Sequence, residues 1–182
     1  MKKIIQQYAK DLTAGRLASG YEHSYRVYHL SREIGDNLEY EDDILHASCF
    51  LHDIQMSLGH PQSSAEKARA ILQETGFKPA KISRVYSAIL NHMPGGKAES
   101  TEGKLLHDAN LLDSMGAIGI CRLSIGSFFW HHYKTMEDVL AYLKEWLAHA
   151  ENFYFQKSKE MAKDKITFMN LAVKQFSQEL SL

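Results

Sequence analysis

The chain has 182 residues, enough for one full hydrophobic core and too few for two comfortable ones. Apolar residues make up 45% and charged residues 24%, an ordinary globular balance, and a net charge of −1 offers no positive field for a nucleic-acid polymer or a membrane surface. The opening MKKIIQQYAKDL carries lysines without an apolar core of a signal peptide, and no run approaches the ~18 apolar residues of a membrane span, so a cytoplasmic location is expected. Cys49 and Cys121 lie far apart inside apolar stretches and read as reduced core thiols.

In chain order, residues 3–13 form a first short helix. From 21 to 38, Val27, Leu30 and Ile34 recur at helical spacing on one face. Residues 41–56 begin on Glu41, Asp42 and Asp43, which suit a helix N-terminus, and then turn almost wholly apolar. The break SLGHPQ precedes a helix over 63–74 that Gly76 caps, and another helix runs over 79–91 and closes at MPGGKAES. Ser100-Thr101-Glu102 leads into one long segment over 102–125, with Leu105, Leu111, Leu112 and Met115 as its apolar stripe. Two amphipathic helices, 135–149 and 157–180, complete the chain. No run alternates like a strand. The pattern predicts a single all-α domain of seven or eight helices over 1–182, with 135–182 packed on the core. The internal ENFYFQ, which resembles a protease-tag site, is a coincidence of sequence.

Ten histidines are many for this length, and their placement matters more than their number. His52-Asp53 closes an apolar helix, and a buried carboxylate beside an imidazole is costly unless a positive group compensates it. His23 precedes Val27, Leu30 and Ile34 by four, seven and eleven residues and so shares their inward face, whereas Glu22 and His29 do not. Asp108 has Leu105 three residues before it and Leu111, Leu112 and Met115 three, four and seven after, which points it inward too. Asn110 and Asp113 fall on a more polar face with His107 and Ser114. Three helices thus direct His23, His52, Asp53 and Asp108 into the interior. Two imidazoles and two carboxylates suit a divalent transition metal (Mn, Fe, Co, Ni or Zn, with Mg possible) and leave positions open for water and phosphate oxygens. Against this, a lone inward histidine is more often a hydrogen-bonded core residue, and a buried Asp more often caps a helix or pairs with a base.

The pattern His23…His52-Asp53…Asp108 resembles the H…HD…D signature of the HD superfamily of metal-dependent phosphohydrolases. EHSYRV, ASCFLHDI, SSAEKARAILQETGF, ILNHMPGG and TEGKLLHDANLLDSMGAIGICR are similar to its bacterial nucleotide-hydrolase branch, over nearly the whole chain. Many HD proteins read Asp-Ala-Asp where this chain has Asp108-Ala109-Asn110, and Asp113 stands in reserve as the fourth ligand. The resemblance implies metal-dependent hydrolysis of a small phosphate ester or anhydride, with a nucleotide as the expected substrate. Asp53 would be a ligand that also orients water, and His60 and His92, beside loops, would assist the leaving group or contact phosphate or a second metal. Arg26, Lys104 and Arg122 are candidates to steady phosphate oxygens. His131-His132 reads as surface, and Tyr25, Phe128, Phe129 and Trp130 as core or pocket wall. Two alternatives remain: a di-iron oxygenase on the same fold, and a non-catalytic regulatory module for which Asn110 is the only support.

Overall fold

The computed structural model describes residues 1–56 and 60–181. Among them are nine α-helices, one 3-10 turn and no strand. The helices are α1 (Lys2–Leu12), α2 (Tyr21–Ile34), α3 (Asp42–Leu51), α4 (His60–Glu74), α5 (Pro79–Leu90), α6 (Thr101–Asp113), α7 (Gly116–Trp130), α8 (Met136–Ala148) and α9 (Gln156–Glu179). The all-α expectation holds. Part of the expected SLGHPQ break, residues 57–59, lies outside the described residues, and His60 is already the first residue of α4.

α3 forms the centre. Every residue from Ile44 to Leu51 is buried, and α1, α2, α5 and α6 pack around it. A helix surrounded in this way must be apolar on all sides, which explains its nearly uninterrupted hydrophobic run. α6 is covered just as completely, from Leu105 to Asp113. Its start is fixed by Ser100, whose Oγ accepts from the Gly103 N–H at 3.1 Å. Gly76 closes α4 as expected, at φ +71°, with the Phe77 N–H returning to the Leu72 carbonyl at 2.9 Å.

The long segment expected over 102–125 is two helices. They break at Ser114 and Met115 and turn by 87°. Gly116, at φ +74°, makes that turn in a region where a side chain would be strained. No single helix among the described residues is long and apolar enough to cross a membrane; only this bent pair reaches the length and composition, and its α6 half is core.

α9 packs on α6, α7 and α8 through Ala162, Met169 and Val173. Its entry is fixed by Asp108, whose two carboxylate oxygens accept from the Tyr154 and Phe155 N–H groups, each at 2.9 Å. Two sequence expectations change here. Cys49 is buried, but Cys121 is exposed. Tyr25, Phe128, Phe129 and Trp130 are not core: they are 44%, 65%, 58% and 36% exposed. His131 and His132 lie on the surface as expected.

One core histidine makes the fold sensitive to acid. His46 is 1% exposed, packed on Tyr28 and Phe50, and burial lowers its pKa to about 4. Its folded pKa lies below its ordinary value, so the unfolded chain takes up the proton first. Stability is therefore full above about pH 6.5 and lost as pH falls toward 4, by an amount on the order of 3 kcal/mol. Urea unfolding of metal-free protein across this window should show that slope, and His46→Gln should remove about one proton's worth of it; an unchanged slope would assign the acid sensitivity elsewhere.

Candidate metal centre

Helix ends leave carbonyls without intrahelical partners. Two histidines just beyond such ends use them. His52 follows α3 and places its Nδ1 2.8 Å from the Cys49 carbonyl, and His92 follows α5 with Nδ1 2.6 Å from the Ile89 carbonyl. Each is a return of three residues, and each requires the proton on Nδ1. His23, in the first turn of α2, has its Nδ1 2.7 Å from Asp113 Oδ2, a carboxylate that assigns the proton the same way. All three imidazoles therefore present a bare Nε2.

Those bare nitrogens converge on Asp53. The Nε2 atoms of His23 and His52 stand 3.0 Å apart, two lone pairs facing each other with no proton between them. Asp53 Oδ2 lies 3.4 Å and 3.5 Å from them. On the other side, Asp53 Oδ1 lies 3.4 Å from His60 Nε2 and 3.5 Å from His92 Nε2. Asp53 Oδ1 and His92 Nε2 are buried and make no hydrogen bond. Facing lone pairs, an unbonded carboxylate oxygen and burial are what a divalent cation would relieve. Two groups could hold one, His23-His52-Asp53 and Asp53-His60-His92, each with ligand atoms within 4.8 Å of one another. His60, with its side chain 17% exposed, is the least buried of the five.

The charges around them are matched. Burial pushes the His52 pKa down to about 3, against the pull of Asp53, so it stays neutral and able to ligate at physiological pH. Burial would raise the Asp53 carboxyl, but on acidification the imidazoles around it, His52 foremost, take the proton first, and their charge then holds it well below the usual range. At Asp113 burial likewise acts upward and is overcome by His23, Arg26 and Arg122. Arg26 grips Asp113 with two bonds, at 2.8 Å and 3.0 Å, and Arg122 reaches its Oδ2 at 3.1 Å. Arg16, which the sequence reading missed, donates to the Asp53 carbonyl at 2.9 Å and the Ile54 carbonyl at 3.4 Å. An arginine in a loop carries no periodic signal, so only its place in the fold reveals it.

The structure brings His23, His52, Asp53, His60 and His92 together and sets Arg26 and Arg122 beside them. Asp108 is not among them. Its oxygens hold the start of α9, and His107 is bonded to it at 3.0 Å. The reserve, Asp113, stands against His23 instead. Asp108 is buried, as its spacing predicts, but α6 is buried all round, so an apolar stripe does not tell which of its carboxylates meets the histidines. Lys104 lies with its ammonium over the Tyr154 ring, on the first turn of α6 and ~14 Å along the helix from Asp113.

The family model for the HD domain matches residues 20–115, more than half of the chain and a span that includes all five converging residues and Asp113. The chain belongs to the HD-domain family. Solved structures resemble this HD protein over almost its whole length. A protein of Lactobacillus plantarum superposes with a TM-score of 0.83 at 21% identity, covering 99% of this chain and 96% of its own. Bacillus subtilis YpgQ, solved in complex with ADP, gives 0.75 at 20% identity, covering 98% and 97%. A predicted HD-superfamily hydrolase from an uncultured Thermotogales bacterium gives 0.64 at 25% identity, covering 98% and 90%. No curated protein sequence matches the chain. The fold is that of HD-superfamily hydrolases, and it carries a His/Asp cluster that could hold a metal.

Proposed function

We propose that this HD protein is a metal-dependent phosphohydrolase acting on small nucleotides. The observation that carries the reading is the convergence of three bare Nε2 atoms on an unbonded Asp53 carboxylate. His23, His52 and Asp53 would hold the ion, with Asp113 as the carboxylate that fixes the His23 ring. A bound divalent cation would lower the pKa of water and polarise a phosphoryl oxygen. Arg16, Arg26 and Arg122 make three positive charges against the two carboxylates Asp53 and Asp113, which favours an anionic substrate. Asp53 Oδ1 accepts a hydrogen bond from the attacking water, and His60, at the mouth, exchanges a proton with the leaving oxygen. The ADP bound by YpgQ, a relative in fold, supports the nucleotide class. Two free thiols fit a reducing, cytoplasmic setting.

A panel of nucleotides and sugar phosphates, assayed with Mn, Co, Ni and Mg, tests this. Metal-dependent release of phosphate or pyrophosphate from free nucleotides is expected, with little action on DNA or RNA. Inertness toward every nucleotide with all four metals would favour the regulatory-module reading. Asp53-His60-His92 supports a second ion, and the di-iron alternative would require two irons per chain together with oxygen consumption.

A further inference from the structure

On α7, Arg122, Gly126 and Trp130 are four residues apart and share one stripe of the helix. At one end Arg122 is fastened to Asp113 Oδ2 at 3.1 Å, and its Nε donates to the Ala18 carbonyl at 2.6 Å. At the other end, ~12 Å along the helix, stands the Trp130 indole. Gly126 lies between them, and a Cβ there would come within 3.3 Å of Trp130 Cδ1 and 3.9 Å of Ala18 Cβ. The missing side chain lets the indole lie down against α7 beside the loop that carries Arg16. The Arg16 guanidinium sits over the indole at 5.9 Å, and the same guanidinium holds the Asp53 and Ile54 carbonyls. One arginine therefore links the main chain of the candidate metal ligand Asp53 to an aromatic ring that remains 36% exposed.

Cationic groups beside the carboxylates and an aromatic surface about two helical turns away are the two ends of a nucleotide, polyphosphate and base. Every base has a π-face, and aromatic and Arg groups bind it by stacking without reading its edge. We propose that Trp130, seated on Gly126 and Arg16, is the base-stacking residue of the nucleotide site and sets its preference for nucleotides over base-free phosphates. This rests on the nucleotide reading above. It also gives a reason for a large aromatic residue to remain exposed beside the site.

The test compares ADP with pyrophosphate, which has the same phosphoanhydride and no base, by calorimetric titration of the Mn-loaded protein. Trp130→Ala should weaken ADP binding by about tenfold or more and leave pyrophosphate binding unchanged. Trp130→Phe, which keeps a π-face, should restore most of the loss. Equal loss of both ligands, or no loss of ADP, would overturn the role of Trp130 while leaving the nucleotide reading intact. Failure of the wild-type protein to bind ADP would overturn both, and is read before any variant is made.

Discussion

Asp53→Asn is expected to abolish turnover and to weaken metal binding by more than ~100-fold. The substitution keeps the shape of the side chain and removes its charge. Among the described residues that charge is the only one that all four histidines face: Oδ2 toward His23 and His52, Oδ1 toward His60 and His92. Without it the imidazoles have no anionic co-ligand in a buried site, and neutral nitrogen donors alone compensate a divalent cation poorly. The fold should survive, because the main chain of Asp53 is held by Arg16 and, among the described residues, its side chain makes no hydrogen bond to another helix backbone. Titration with Mn, read alongside circular dichroism, checks both halves. Tight binding in the variant would show that Asp53 is not part of the metal set.

The second large effect separates Asp113 from Asp108. Asp113→Ala should lower metal affinity and activity by about 10–100-fold, since it frees the His23 ring and leaves Arg26 and Arg122 unpaired. Asp108→Ala should leave metal affinity nearly unchanged but cost about 2–4 kcal/mol of stability. It deprives the Tyr154 and Phe155 N–H groups of their acceptor and loosens the start of α9. Metal titration and urea unfolding of the two variants should therefore give opposite rankings. Loss of metal in Asp108→Ala with retained stability would restore the assignment made from the apolar stripe.

That contrast marks how far the sequence can be read. Where a helix has one wet face, as α2 does, apolar spacing placed His23 inward, and it is buried and aimed at His52. The His52-Asp53 pair was legible for a different reason: it ends a continuous apolar run, the mark of a helix buried on all sides. α6 defeats the method because both of its sides are packed, so Asp108 and Asp113 are equally buried and only their partners differ. The split between α6 and α7 was missed because apolar residues continue through Met115, whereas the turn depends on the conformation of Gly116. The aromatics at the end of α7 read as core or pocket wall in the sequence, and their exposure removes the first alternative; hydrophobicity alone does not reveal which ring has a neighbour. His60 and His92 were located only relative to loops, and their convergence on Asp53 depends on three helix ends meeting in space.

The proposed function stands on a metal ion held by His23, His52 and Asp53. Elemental analysis of protein purified without chelator tests it most directly. Wild-type protein should contain at least about one transition-metal ion per chain, as a three- or four-ligand set requires, and His52→Ala should contain almost none while remaining helical. Metal-free wild-type protein that cannot be loaded, or full occupancy in His52→Ala, would contradict the account.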